Sequence, residues 1–327
     1  MNEIFAMFNE VISFPEVLIN KCTFLPDYIS MALLKSIYFV PVLVFLYLLV
    51  EILEKFVISN IPLFIKLLRK YGAFFSAATG IVPECGYANV ISVLYSRNII
   101  SRGTLLAALI MCSDDALPLL FIDFSKVGVI LPILVLKFIA AIAVAYIADF
   151  LEVILNLRIK KKDDLNSMNM DINIHGCCYH AINTNDKHPR IINHTLVHTL
   201  NVLIFTFLVL SGLYFGIGAF GSTESFASVL MIDSPVSVLV VAALGLISNC
   251  FISILIAIAF VLGLISFPAF LAGMITVTGL GLFNMFKFAG KKEGILISFV
   301  LFVLGTGFGL AFYYGLLTVN STFNLVK

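Results

Sequence analysis

The stretch that opens Gly80-Ile-Val-Pro-Glu-Cys-Gly86 returns, without a gap, 165 positions later as Gly245-Leu-Ile-Ser-Asn-Cys-Phe251. Gly80 pairs with Gly245, Cys85 with Cys250, Ser101 with Ser266, and Leu106-Ala107 with Leu271-Ala272; the match runs on to Leu117 and Leu282. Leu and Ile coincidences carry little information in an apolar chain. Gly, Cys and Ser in register carry the argument. The offset is close to half of the 327 residues, so the chain reads as two versions of one unit.

That unit belongs in a membrane. The chain is 61% hydrophobic and 12% charged, far from the even balance of a soluble domain. The runs 36–50, 127–148, 196–214, 237–265 and 295–317 approach or exceed the length that crosses a bilayer. The expected fold is an all-α polytopic membrane protein of about ten segments in two inverted five-segment repeats. A β-barrel would show short alternating segments instead. The segments fall at 31–57, 61–82, 87–100, 103–123 and 127–157, then 194–215, 234–248, 251–264, 267–287 and 293–319. Those flanking Pro83-Glu84 and Ser248-Asn249 are short, which predicts broken or re-entrant helices at membrane depth. Paired interruptions of this kind are the sequence signature of a transport site between repeats.

The organisation follows: an N-terminal segment 1–30 with the character of an interfacial helix, a first membrane repeat 31–157, a linker 158–193 and a second repeat 194–327. No basic n-region precedes an early apolar run, so no cleavable signal peptide is expected and the first span serves as the anchor. Fifteen of the twenty Lys and Arg fall on one side if both termini lie outside, among them Lys66, Arg69, Lys70, Arg97, Arg102, Lys287, Lys291 and the linker cations. This asymmetry places the linker in the cytoplasm of a multi-pass inner or plasma-membrane protein. The net charge of +1 gives no case for nucleic acid. The six cysteines do not form a disulfide framework.

Polar residues inside the apolar segments mark the candidate site. Ser113-Asp114-Asp115 interrupts an apolar run, and each carboxylate at bilayer depth costs about 2.5–3.5 kcal/mol on insertion scales. Two acids without a cationic neighbour hold a proton between them or bind a cation, and an oxygen-rich site suits Mn²⁺, Mg²⁺ or Ca²⁺. Glu84 and its repeat mate Asn249 stand at the paired interruptions, each followed by a cysteine, Cys85 and Cys250. Asn89, Ser113, Ser248, Thr276 and Thr278 are secondary oxygen donors, each also readable as an interhelical hydrogen-bonding residue. Gly273, Gly279 and Gly281 allow close helix approach. All five histidines lie between 175 and 198. His175, Cys177, Cys178 and His180 mix soft and borderline ligands, and His194 and His198 share one helix face as a bidentate pair, which marks a metal-capturing loop.

The paired motifs, the ten segments and the His/Cys linker resemble the ten-helix heavy-metal exporters, whose members are named manganese transporters or arsenic efflux proteins. The resemblance covers most of 31–320 and is most specific over 80–120 and 245–287. It implies an inverted-repeat exporter of a metal or metalloid ion, with no enzymatic activity and no cofactor beyond the transported ion. The chain departs from the family pattern at Glu84, where Gly is expected, and at Ser248, where Pro is expected. A divalent cation, Mn²⁺ first, is the leading substrate. The alternatives are arsenite or an organoarsenical held by Cys85, Cys112 and Cys250, an intramembrane enzyme using the Asp pair, and a metal sensor without transport. No Walker A motif occurs, so energy would come from protons or membrane potential.

Overall fold

A computed structural model of the chain describes residues 26–59, 61–82, 85–112, 116–120, 128–154, 191–229 and 234–315. Every regular element among them is helical. The first half holds α1 (Asp27–Ser59), α2 (Ile61–Thr79), α3 (Cys85–Ser96), α4 (Arg102–Met111), α5 (Ala116–Leu119) and α6 (Ile130–Ile154). The second holds α7 (Ile191–Phe220), α8 (Thr223–Val229), α9 (Pro235–Gly245), α10 (Cys250–Val261), α11 (Phe267–Thr276), α12 (Gly281–Asn284) and α13 (Lys291–Tyr313). A π turn, Met285–Ala289, follows α12 directly.

Five stretches are long and apolar enough to cross a membrane: Asp27–Ile52, Ile130–Ile154, Thr195–Phe220, Phe267–Ala289 and Lys291–Tyr313. Four of them bury only 22–28% of their apolar window within the protein, leaving the remainder for lipid. The fifth, Phe267–Ala289, buries 83%, so α11 and α12 lie at the centre. The short helices explain themselves by length. At about 1.5 Å per residue, the 12 residues of α3 and the 10 of α4 reach about 18 and 15 Å, short of a hydrocarbon core of roughly 30 Å. Neither α3 nor α4 spans alone.

Local structure recurs at the 165-residue offset. The bounds of α3 and α10 correspond residue for residue, as do those of α4 with α11 and α5 with α12. Both hairpin turns close in the same way. Asn98 (φ 60°) and Gly263 (φ 72°) take the left-handed position after α3 and α10. Ile99 N–H donates to Leu94 O at 3.0 Å, and Leu264 N–H to Ala259 O at 2.8 Å, the Schellman arrangement that satisfies the last turn. Ser101 and Ser266 then cap α4 and α11 in extended conformation. Packing neighbours correspond too: α2 with α4 and α9 with α11, α4 with α6 and α11 with α13, and, across the halves, α3 with α12 and α5 with α10.

These cross-half contacts interlock the two units. Ala116, Leu117, Leu119 and Leu120 of the first half join the core of α7 and α9–α11. Leu282 and Met285 of the second half join the core of α2–α4. The approach is close: a Cβ on Gly281 would lie 2.9 Å from Ala88 Cβ and 3.0 Å from Leu109 Cδ2. Within the expected segments 103–123 and 267–287 the helix itself is interrupted: α4 ends at Met111 and α11 at Thr276, with non-helical caps at Cys112 (ψ 126°) and Val277 (ψ 120°), while Phe267–Ala289 as a whole remains long and apolar enough to cross a membrane.

Glycine supplies a direct test of the packing. A Cβ on Gly305 of α13 would lie 2.6 Å from Thr276 Cγ2 and 2.8 Å from Ala272 O, whereas one on Gly307 meets nothing within 4 Å. Gly305→Ala is expected to lower stability in detergent by about 1–3 kcal/mol, the range for overpacking. Gly307→Ala is expected to leave it unchanged or raise it by up to about 1 kcal/mol through helix propensity. Thermal unfolding of the two variants beside wild type separates these outcomes.

Candidate functional site

Lys137 lies in the apolar helix α6 with no exposed surface. An amine at this depth needs acceptors, and the backbone supplies them. Its Nζ donates to Cys112 O at 3.0 Å and to Met274 O at 2.8 Å. Both carbonyls belong to helix C-terminal ends, where the last four C=O groups lack intrahelical partners and the dipole is negative. Cys112 ends α4 of the first half and Met274 lies in the last turn of α11 of the second half. One amine therefore joins the corresponding half-helix of each repeat.

The same helix α6 also holds the other end of α4. Asp149 accepts Gly103 N–H at 2.9 Å and Ser101 Oγ–H at 3.0 Å. A carboxylate at the N-terminus of α4 and an amine at its C-terminus both complement its dipole. Lys137 and Asp149 are twelve residues apart on α6, about 18 Å of helix, which matches the reach of α4. Beyond Asp149, Arg102 donates from Nη2 to Glu293 at 3.1 Å and from Nε to Tyr95 Oη at 3.2 Å. It also forms an ion pair with Glu152 at 3.2 Å. Tyr95 Oη–H donates to Glu293 at 3.0 Å. Glu293 opens α13, so this cluster ties the halves at the Arg102 end.

A second buried polar contact crosses the halves between α3 and α12. Asn284 Nδ2 donates to Asn89 Oδ1 at 3.0 Å, with 0% of Asn89 and 9% of Asn284 exposed. Thr278, in the break between α11 and α12, is 1% exposed and its Oγ1 finds no hydrogen-bond partner among the described residues. The backbone there passes through Gly279 (φ 52°), a left-handed conformation that favours glycine.

Residues 25–220 match the family described as "Putative, 10TM heavy-metal exporter", which takes in more than half of the chain. The chain belongs to this heavy-metal exporter family. Neither the curated proteins nor the solved structures contain a match. The family and the apolar helices together make it a multi-pass membrane protein whose substrate class is a metal ion.

The sequence-predicted residues of this exporter distribute unevenly. Glu84, Ser113, Asp114, Asp115, His175, Cys177, Cys178 and His180 lie outside the described residues. Cys85 is the first residue of α3. Asn249 is exposed and caps α10, its Oδ1 accepting Phe251 N–H at 3.1 Å. Ser248 is half-buried beside it. Cys250 is buried in the first turn of α10, and Cys112 is buried at the end of α4. Thr276 Oγ1 is spent on its own helix, donating to Gly273 O at 3.0 Å. His194 is helical within α7, and the His198 ring packs edge-on against Tyr47 at 4.3 Å. Among the described residues, no three His, Cys, Asp or Glu side chains gather closely enough to hold a metal.

Two contributors escape the sequence reading. Lys137 is not among its candidate residues, yet a lysine inside a 25-residue apolar helix is itself a signal of intramembrane function. Asn284 carries no comparable signal, because its partner lies 195 residues away. A double-mutant cycle of Asn89→Ala and Asn284→Ala is expected to give a coupling of roughly 1 kcal/mol, within the range for interhelical hydrogen bonds in membranes. Additive effects in detergent unfolding would show that the pair contributes nothing beyond packing.

Proposed function

We propose that this protein exports a divalent metal cation, Mn²⁺ foremost, from the cytoplasm by secondary active transport. Asp114 and Asp115 are the principal ligands, and Glu84, Asn249 and the carbonyls of the broken helices complete the site. The observation that carries the reading is the meeting of α4 and α11 at Lys137. Ser113-Asp114-Asp115 follows Cys112 directly in the chain, and Ala116, just past the pair, has no exposed surface. The acids thus belong in sequence to the break where the two half-helices converge.

The same geometry supports an inverted relation between 31–157 and 194–327. Each of α4 and α11 is ten residues, about 15 Å, half of a hydrocarbon core of roughly 30 Å. Two such helices entering from opposite faces meet end to end at mid-depth. Broken helices that meet at the midplane between repeats are how secondary transporters build a site open to one side at a time. The ion pair of Arg102 with Glu293 puts the α3–α4 turn and the start of α13 at one end of the molecule. That is the side to which the Lys and Arg count assigns the cytoplasm, together with the linker 158–193. In this reading the linker, through His175, Cys177, Cys178, His180, His194 and His198, captures metal for delivery.

Chemically, the two carboxylates do what a hard divalent ion requires. They supply charged oxygen donors, while half-helix carbonyls replace lost hydration without adding a full charge. Asp114→Asn combined with Asp115→Asn is expected to reduce Mn²⁺ flux in proteoliposomes at least tenfold and to abolish resistance of an expressing cell to Mn²⁺. Unchanged flux in the double variant would remove these residues from the site.

A further inference from the structure

α2 is two helical pieces joined at an elbow. Gly72 (φ 48°, ψ −117°) breaks the helical path between Ile61 and Thr79, at a positive φ that favours glycine. The piece after it, 73–79, carries no charge, whereas residues 61–71 hold three cations, Lys66, Arg69 and Lys70. On a helix, residues four apart share a face, and the rows of this first piece face three ways. Phe64 and Leu68, with Ile65 beside them, are buried in the core of α2–α4. Leu63, Leu67 and Tyr71 form a second row, with Leu63 51% and Tyr71 50% exposed. Lys66 and Lys70 form a third, both exposed and on the side away from Phe64 and Leu68. The Lys70 amine lies 5.1 Å from the centroid of the Tyr71 ring, which brings the cationic row against the apolar one.

The level of this piece in the bilayer follows from what the elbow touches. A Cβ on Gly72 would lie 3.4 Å from Thr104 Oγ1, in the first turn of α4. In that same turn, Arg102 meets Glu293 at the start of the span Lys291–Tyr313 and Glu152 in the last turn of the span Ile130–Ile154. Two spanning helices end beside the elbow, so Gly72 stands at the edge of the membrane. Exposed lysines at that edge face headgroups, and the apolar row next to them faces acyl chains. One membrane component complements both rows, an anionic phospholipid. We propose that residues 61–71 are an interfacial helix that binds anionic phospholipid, with Lys66 and Lys70 on the headgroup phosphate and Leu63, Leu67 and Tyr71 against the chains. The bound lipid holds the elbow against α4, where Ser76, one turn past Gly72, donates from Oγ to Thr104 O at 2.8 Å.

Native mass spectrometry of the full-length protein in detergent, offered equal amounts of phosphatidylglycerol and phosphatidylcholine, tests the site. Wild type is expected to retain phosphatidylglycerol in preference. Lys66→Gln should lower that retention about fivefold, and Lys66→Gln combined with Lys70→Gln roughly twenty-five-fold. Lys66→Arg combined with Lys70→Arg should keep it. Lys291→Gln combined with Lys292→Gln removes the same charge from exposed positions at the start of α13 and should change retention by less than about twofold. Equal retention of the two lipids by wild type, or equal losses in the two double-Gln variants, overturns the proposal. Displacement of the lipid by glycerol phosphate, which has the charge without the chains, overturns it in favour of a soluble anion. Hydrogen exchange gives a second reading on the wild-type chain alone. Amides of 61–79 should exchange more slowly in nanodiscs containing phosphatidylglycerol than in pure phosphatidylcholine, and identical exchange in the two also overturns the proposal.

Discussion

An amine cannot sit at hydrocarbon depth without acceptors, and helix C-termini cannot end there without donors. The contact of Lys137 with Cys112 O and Met274 O meets both demands at once. Much of the fold is arranged around it. α4 must stop at Met111 and α11 at Thr276 for their carbonyls to be available. α6 must run alongside α4 so that Asp149 holds one end and Lys137 the other. Phe267–Ala289 must be the enclosed segment, because half of the acceptor set is on it. Removing the lysine would take from both helix ends the side-chain donor that joins them.

Around this contact the two halves have kept their geometry and exchanged their chemistry. Where the first half places Tyr95 and Arg102 in an ion-paired cluster with Glu293, the second places Phe260 and Phe267. Phe260 stacks on Phe270 at 4.2 Å, and Phe267 packs against Phe312 at 5.7 Å. Where α3 and α12 meet through Asn89 and Asn284, the corresponding residues of α10 and α5 are Ile254 and Leu119. One end and one crossing are polar, and their counterparts are apolar. The corresponding ends of the two halves are therefore held differently, by ion pairs in one and by aromatic packing in the other.

The parts of the fold written locally were readable from the chain. Gly80 and Gly245, Ser101 and Ser266, and the cysteines after each interruption fall where helices start, stop or pack closely, so they mark the hairpins with nearly correct bounds. The helix ends at Met111 and Thr276 were harder. The residues leading up to them are apolar, and a helix that ends on another element's lysine shows no stop signal in its own last turn. The partners of Lys137 were invisible for the same reason: one acceptor lies 25 residues away and the other 137. Hydrophobicity reports that a residue is buried, and it cannot report what it meets there. Asn249 went the other way. Its pairing with Glu84 suggested a ligand, and in the fold its amide oxygen serves first as a helix cap.

Electron paramagnetic resonance of Mn²⁺ bound to the purified full-length protein identifies the site, because the ion reports its own ligands. One tight Mn²⁺ per chain is expected, coordinated by oxygen without imidazole nitrogen coupling, and lost when the acids at 114 and 115 are made amides. A tight Mn²⁺ that shows histidine nitrogen coupling, and that persists in the amide variant, would move the site to the linker and contradict it.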